Sequence, residues 1–261
     1  MLTTDAMQTV LRHALRDMPE AETTPINTGL SGAAVFSITA ADGRREIVKI
    51  DRADSPNSLA QEHAVLCYAV SRLPAPAPLE LGQLGELAFL RMSALPGLDA
   101  AEPALLCRPF ELVNALAAAL RRLHALPIAE CPFDRRTTAL LDQAQVRLAL
   151  GVMGPHGFDH PTPPDQLLAH LRQTQPVPDL VVAHGDYCFP NIIFDPTTLA
   201  LSGFVDLGRL GVADRWLDLG IAARSVEGNL GHAWVIPFFA AYGIQPDWTR
   251  AHYFQNLDEF F

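Results

Sequence analysis

The segment His184-Gly185-Asp186-Tyr187-Cys188-Phe189-Pro190-Asn191 lies between two apolar runs, residues 181–183 and 192–194. Short apolar runs bounded by loop residues read as buried strands, so the segment between them is a rigid loop whose polar groups stay exposed. A third run, residues 202–205, delivers Asp206 at its end, followed by Leu207-Gly208. Either loop alone reads more readily as an ordinary turn. Together they place an aspartate and an asparagine five residues apart with a second aspartate ahead, the set that metal-assisted phosphoryl transfer needs. One carboxylate, Asp186, accepts the proton of a hydroxyl, while the Asn191 amide oxygen and the Asp206 carboxylate hold Mg²⁺ against nucleotide phosphates.

Protein kinases carry the same arrangement as H-R-D-x-x-x-x-N and D-F-G; here Gly185 replaces the arginine and Leu207 the phenylalanine. Upstream, residues 46–50 form an apolar strand interrupted by Lys49, and Glu62 follows thirteen residues later on a helix expected over 57–72. A lysine buried among Val48 and Ile50 needs a partner or a ligand. The alternative is a solvent-pointing lysine on an alternating strand. With the downstream motif present, contact with the α- and β-phosphates is the stronger reading, the helix glutamate holding the lysine in place.

The rest of the chain fits two lobes. A helix is expected over residues 5–18, a glycine-bearing turn at 27–32, strands at 35–38 and 46–50 joined by the hairpin signal Asp42-Gly43, and strands at 79–82 and 87–92 around Gly85. The turn-like stretch 93–97 ends this β-rich third. We therefore expect an N-lobe at 1–92, a hinge at 93–97 and a helical C-lobe at 98–261, with helices over 109–125, 137–150, 164–174, 216–227, 232–242 and 247–261. His124, near the end of the first of these, reads as a helix-terminus or core histidine.

Composition narrows the partners. Nineteen basic against twenty-nine acidic residues give a net charge of −10, which argues against nucleic acid and suits a cationic small molecule. No apolar run reaches the length of a membrane span, and the N-terminus lacks the basic-then-apolar pattern of a secretory signal, so a cytoplasmic location is expected. Cys67, Cys107, Cys131 and Cys188 form no C-x-x-C pair and read as incidental thiols.

With these residues assembled, the chain resembles the aminoglycoside phosphotransferases, and within them the aminoglycoside 3'-phosphotransferases. Leu120 to Pro127, Cys131-Pro132-Phe133, the loop 181–191, Ser202 to Gly211, Ala213-Asp214-Arg215 and the ending Leu257-Asp258-Glu259-Phe260-Phe261 carry the likeness. The resemblance implies an α+β, protein-kinase-like fold with an antiparallel-sheet N-lobe and a mainly helical C-lobe. It implies Asp186 as general base, Asn191 and Asp206 as metal ligands, Lys49 on phosphate with Glu62 positioning it, and Ser31 and Gly32 in the nucleotide-positioning loop. Met92, Ser93, Ala94 and Leu95 take the place of the adenine hinge, and Ile47 stands where relatives stack an aromatic on adenine. Acidic side chains and the terminal carboxylate would hold the drug's ammonium groups: Asp159, Asp258, Glu259 and Phe261 match those positions, Arg209 and Arg224 match arginines of the same pocket, and Glu227 adjoins Gly228, where relatives carry Glu.

The expected activity is phosphorylation of the 3'-hydroxyl of kanamycin- or neomycin-type drugs, using ATP (GTP not excluded) and Mg²⁺, by a monomer or weak dimer. The loop 151–164 is poor in acid, with Gly154, Gly157, His160 and Pro161 where relatives carry Asp or Glu. That keeps a second reading open, the same chemistry on another hydroxyl acceptor such as a choline-like amine, a macrolide or an endogenous metabolite. A silent nucleotide- or drug-binding module is a third.

Overall fold

The computed structural model describes residues 4–26, 33–56, 58–152 and 158–261; Ser31 and Gly32 lie outside them, as do Gly154 and Gly157. The chain divides into two compact units, the boundary falling between Leu95 and Pro96, with Arg72–Pro74 belonging to the second.

The first unit contains α1 (Thr4–Ala14), β1 (Glu22–Ile26), β2 (Ala34–Thr39), β3 (Arg45–Arg52), α2 (Leu59–Ala69), β4 (Pro78–Leu84) and β5 (Leu87–Ser93). The strands form one antiparallel sheet in the order β1-β2-β3-β5-β4. α1 stops at Ala14, short of the expected 18, yet Leu15 and Met18 remain buried in the turns beyond it. There they join Val10, Ile38, Val48, Ile50 and Phe89 in the core. β3 is central, and its period-2 alternation buries Glu46, Val48 and Ile50 while Ile47 and Lys49 share the half-buried face. Lys49 is registered between Val35 and Leu90. α2 is capped by Ser58, whose hydroxyl accepts the Gln61 N–H at 3.3 Å, and Glu62 lies within its buried stripe of Leu59, Val65, Leu66 and Ala69. The edge strand β1 was not expected: Glu22-Thr23-Thr24-Pro25 is exposed on both faces and offers no hydrophobic alternation. Its proline is tolerated only because the strand is an edge.

The second unit is mainly helical. Its elements are β6 (Leu98–Asp99), α3 (Pro103–Leu106), α4 (Pro109–His124), α5 (Thr137–Ala149), α6 (Pro164–Gln173), β7 (Leu180–Ala183), β8 (Ile192–Phe194), β9 (Leu201–Phe204), β10 (Gly211–Asp214), α7 (Arg215–Leu230), α8 (Val235–Tyr242) and α9 (Trp248–Asp258). β6, β8 and β9 form one small antiparallel sheet and β7 with β10 another. Leu112, Leu116, Leu120 and Leu123 give α4 an apolar stripe at helical spacing, all nearly inaccessible. The region expected as one helix over 232–242 begins as a 3-10 turn, His232–Trp234, before α8.

α7 is the axis of this unit, buried along most of its first nine residues. It packs closely on α9 because Gly220 has no side chain: a Cβ there would stand 2.9 Å from the Ala251 carbonyl oxygen. Gly220→Ala is therefore expected to cost about 1–3 kcal/mol by overpacking, despite the better helix propensity of alanine. The check is the urea midpoint, and an unchanged midpoint would contradict so close an approach. Among the described residues no helix is long and apolar enough to cross a membrane.

Candidate active site

The polar loop of residues 184–191 leaves β7, an inaccessible apolar strand, and ends in a 3-10 turn, Phe189–Asn191, that feeds β8. Gly185 holds φ +84°, and a Cβ there would lie 2.4 Å from the Arg209 carbonyl oxygen. The backbone of the following loop thus occupies the space a side chain at 185 would need. This explains why glycine stands where kinases carry arginine.

Asp186 is half-buried. The Asn191 side-chain amide donates to both the Asp186 backbone carbonyl and its Oδ2, each at 3.0 Å. The amide nitrogen is therefore committed to Asp186, and the amide oxygen is the group left to meet a cation. The Val205 N–H donates to the Asn191 carbonyl at 3.0 Å, tying the loop to the segment that carries Asp206. Asp206 adopts the left-handed conformation, φ 56° and ψ 50°, before the turn Leu207–Arg209. Aspartate tolerates that region better than most residues, and such strain collects where a side chain must be aimed.

The loop is anchored from behind by Asp218 on α7, a residue the sequence reading did not single out. Its carboxylate is fully buried and accepts the backbone N–H of His184 at 2.7 Å and of Gly185 at 2.8 Å, and His124 Nε2 at 3.0 Å. Burial pushes the Asp218 carboxyl up. The His124 hydrogen bond, the charges of His124 and His184 and the His184 N–H outweigh it, and the group ends below the ordinary carboxylate range. The sequence signal was an acid within the apolar stretch Trp216 to Ala223, since a buried charge must be paired. His124, expected as a helix-terminus or core histidine, is both: it closes α4 and is buried, its Nδ1 meets the Tyr242 hydroxyl at 2.7 Å, and Arg215 donates to that hydroxyl at 2.8 Å.

Two further anchors come from α4 and α7. The buried Tyr187 hydroxyl donates to the Leu116 carbonyl at 2.8 Å, and the Phe189 N–H donates to Ser225 Oγ at 3.0 Å. Cys188, read as incidental, faces the site. Burial, the charge and hydrogen bond of Asp186 and the charge of Asp206 push its thiol far up, so it stays protonated and is a poor nucleophile at neutral pH.

Arg209 follows Asp206 and joins the loop to the C-terminus. Its guanidinium donates to Asp258 Oδ1 at 2.6 Å. Burial lowers its pKa, and the carboxylates of Asp258, Asp186 and Asp206 together more than restore it. Arg224 pairs with the other Asp258 oxygen and, at 3.4 Å, with Glu259. Asp258 is only 9% exposed, so both its oxygens are spent on guanidinium groups. Arg147 and Arg209 lie over the Phe261 ring at 5.6 and 5.3 Å, and Arg147 Nε donates to the Phe260 carbonyl at 2.6 Å. Arg209, Arg224, Asp258, Glu259 and Phe261 thus form one connected cluster, and the Asp186–Asn191 pair and Asp206 stand within electrostatic reach of Arg209. Glu227 is exposed and meets His232 Nδ1 at 2.9 Å. Asp159 is exposed on the segment before α6.

The first unit holds the remaining candidates. Lys49 Nζ reaches Glu62 Oε1 at 2.7 Å with both side chains mostly covered. Ile47 lies two residues along the same strand face, opposite Met92. At the expected hinge, the Ser93 and Ala94 N–H groups are taken by the carbonyls of Ala77 and Arg45 at 2.9 and 3.0 Å. They are less available for a ligand than a bare turn would suggest.

The donor set suits a magnesium ion. Asn191 and Asp206 offer hard oxygens, and among the described residues no cluster of three or more histidine, cysteine, aspartate or glutamate side chains makes a protein-only cage. Mg²⁺ is commonly bound by one or two carboxylates plus substrate phosphates.

Residues 22–254 match the sequence profile of the phosphotransferase enzyme family. The chain is 35% identical to an aminoglycoside 3'-phosphotransferase from Streptomyces fradiae, across 94% of this chain and 97% of that one. It is 36% identical to the streptomycin 3''-kinase of Streptomyces griseus, across 89% and 90%. Among solved structures it superposes on aminoglycoside phosphotransferase APH(3'')-Id from Streptomyces rimosus, in complex with ADP and streptomycin. The TM-score is 0.83 at 32% identity, covering 100% of this chain and 99% of the other.

Proposed function

The chain belongs to the phosphotransferase enzyme family, and from that premise we propose that it transfers the terminal phosphoryl group of ATP to the 3'-hydroxyl of kanamycin- or neomycin-type aminoglycosides, conferring resistance to them. The observation that carries this reading is the Asp186–Asn191 pair at 3.0 Å, set beside Arg209 and the acidic C-terminus.

In the proposed mechanism the Asn191 amide, bound to Asp186 Oδ2, fixes the carboxylate so that it accepts the proton of the attacking hydroxyl. The Asn191 amide oxygen and the Asp206 carboxylate would hold Mg²⁺, which would supply positive charge to offset the nucleotide phosphates. Lys49, held by Glu62, takes the α- and β-phosphates. The nucleotide base edge falls to the backbone at Leu95, because the Ser93 and Ala94 N–H groups are committed; Ile47 supplies an aliphatic rather than aromatic surface. Ser31 and Gly32 belong to the phosphate loop. Glu259 and Asp159 receive ammonium groups, the Phe261 ring lines the same pocket against Arg147 and Arg209, and Asp258 acts through the two arginines it holds. The enzyme works in the cytoplasm, where ATP is supplied, as a monomer or weak dimer.

A second reading, transfer to the 3''-hydroxyl of streptomycin, is favoured by the 36% identity to a streptomycin 3''-kinase. Coupled ADP-release assays with MgATP over kanamycin, neomycin, streptomycin, a macrolide and choline separate the readings. Turnover of kanamycin and neomycin with streptomycin inert is expected; streptomycin alone turned over would move the assignment to the 3''-hydroxyl.

A further inference from the structure

A cavity of about 300 Å³ opens between α7, α8 and α9, beside the cluster that joins the C-terminus to the catalytic loop. Arg224 belongs to both: it lines the cavity and pairs with Asp258 and Glu259. One wall is aromatic. Trp248 is 39% exposed, and its indole packs in a T-shaped contact on the inaccessible Phe239 ring, 5.6 Å between centroids at 85°. His252, one turn further along α9, lies at 6.3 Å and 32° to Trp248, extending the same platform. The other wall is polar, with Glu227 and His232 paired at 2.9 Å.

These two walls select a ligand class. A pyranose ring presents an apolar C–H face to an aromatic platform and hydroxyls at its edge. An attached ammonium group adds attraction to the indole face and a charge-assisted hydrogen bond to a carboxylate. Arg224, the cation in the lining, is already paired with Asp258 and Glu259, so an anionic ligand would meet Glu227 with little positive charge left to offset it. A purely apolar one would bury the Glu227–His232 pair without compensation. Size sets the rest: about 300 Å³ is the lower end of small-molecule sites, room for one sugar ring but not for a three-ring drug.

We propose that this cavity binds one protonated amino-sugar ring of the acceptor, the ring remote from the phosphorylated hydroxyl, with Trp248 and His252 as its platform and Glu227 as its ammonium acceptor. The proposal rests on the aminoglycoside reading above. It makes Trp248 and His252 specificity residues for drugs with a third ring.

The test compares kanamycin, which has three rings, with neamine, a two-ring aminoglycoside that carries the 3'-hydroxyl but no third ring. Trp248→Ala should raise KM for kanamycin about tenfold, and the milder His252→Ala about threefold. KM for neamine should move less than about twofold in either variant, since only the third ring reaches the platform. Equal rises for both drugs, or none for kanamycin, overturn the subsite while leaving the activity in place. If the wild-type protein phosphorylates neither drug, the aminoglycoside reading is what fails, and calorimetric titration decides the subsite. Kanamycin affinity weakened selectively by Trp248→Ala supports it; affinity that is absent, or unchanged by the substitution, overturns it.

Discussion

Asp186→Ala is expected to lower kcat for aminoglycoside phosphorylation by about 10²–10⁴-fold, the contribution of a positioned general base, while ADP affinity and thermal stability stay close to wild type. The reason is local. Asp186 is half-buried, and its side chain meets one amide hydrogen of Asn191, the Cys188 thiol and the field of Arg209, polar partners only, so its loss opens little space and removes no apolar core contact. The loop stays in place through Asp218, Tyr187 and Ser225, which hold its backbone and ring independently of the carboxylate. Steady-state rates together with ADP titration calorimetry make the check. Retained turnover would remove Asp186 from the role of base, whereas lost ADP binding would show that the loop had collapsed.

Asp218→Ala should have the larger effect on stability. It strips the partner from two backbone N–H groups and from His124 in a site that water does not reach, and breaking a buried charged network of this kind costs about 3–5 kcal/mol. Activity should fall with it, because His184 and Gly185 lose the anchor that fixes the start of the loop. The pH dependence follows from the direction of the shift. The folded-state pKa of Asp218 lies below its ordinary value of 3.8, so its stabilisation is fully present above that value and is lost as pH falls through the lower folded pKa. Wild-type protein should therefore lose stability on acidification below about pH 4 more steeply than Asp218→Asn. Urea unfolding at pH 7 and at pH 3.5 measures both effects. Equal pH slopes in the two proteins would show that this carboxylate is not the coupled group.

What could be read without coordinates was whatever chemistry the chain keeps contiguous. Asp186, Asn191 and Asp206 fall within about twenty residues of one another, and the apolar runs beside them announce strands. Lys49 stood out because a charged residue in an apolar strand must have a partner, and Glu62 lies on the next helix at 2.7 Å. Long-range pairing was not legible. Asp258 is expected among the acids that hold the drug, yet both its oxygens are taken by Arg209 and Arg224, 49 and 34 residues away, and no local pattern encodes that pairing. Asp218 left a faint signal, an acid among apolar helix residues, but which N–H groups it would take depends on how α7 packs beneath β7. β1 was missed because an exposed edge strand obeys no burial pattern. The cavity at Trp248 was invisible for a similar reason: the residues that line it come from α7, the 3-10 turn at His232, α8 and α9 and share no motif.

The measurement that bears most directly on the central claim is product mapping by NMR after incubation of the protein with kanamycin and MgATP. The account predicts a single new phosphomonoester on the 3'-oxygen, formed in step with ADP and missing with Asp186→Ala. Kanamycin recovered unmodified, or phosphorylated at a different hydroxyl, would contradict it.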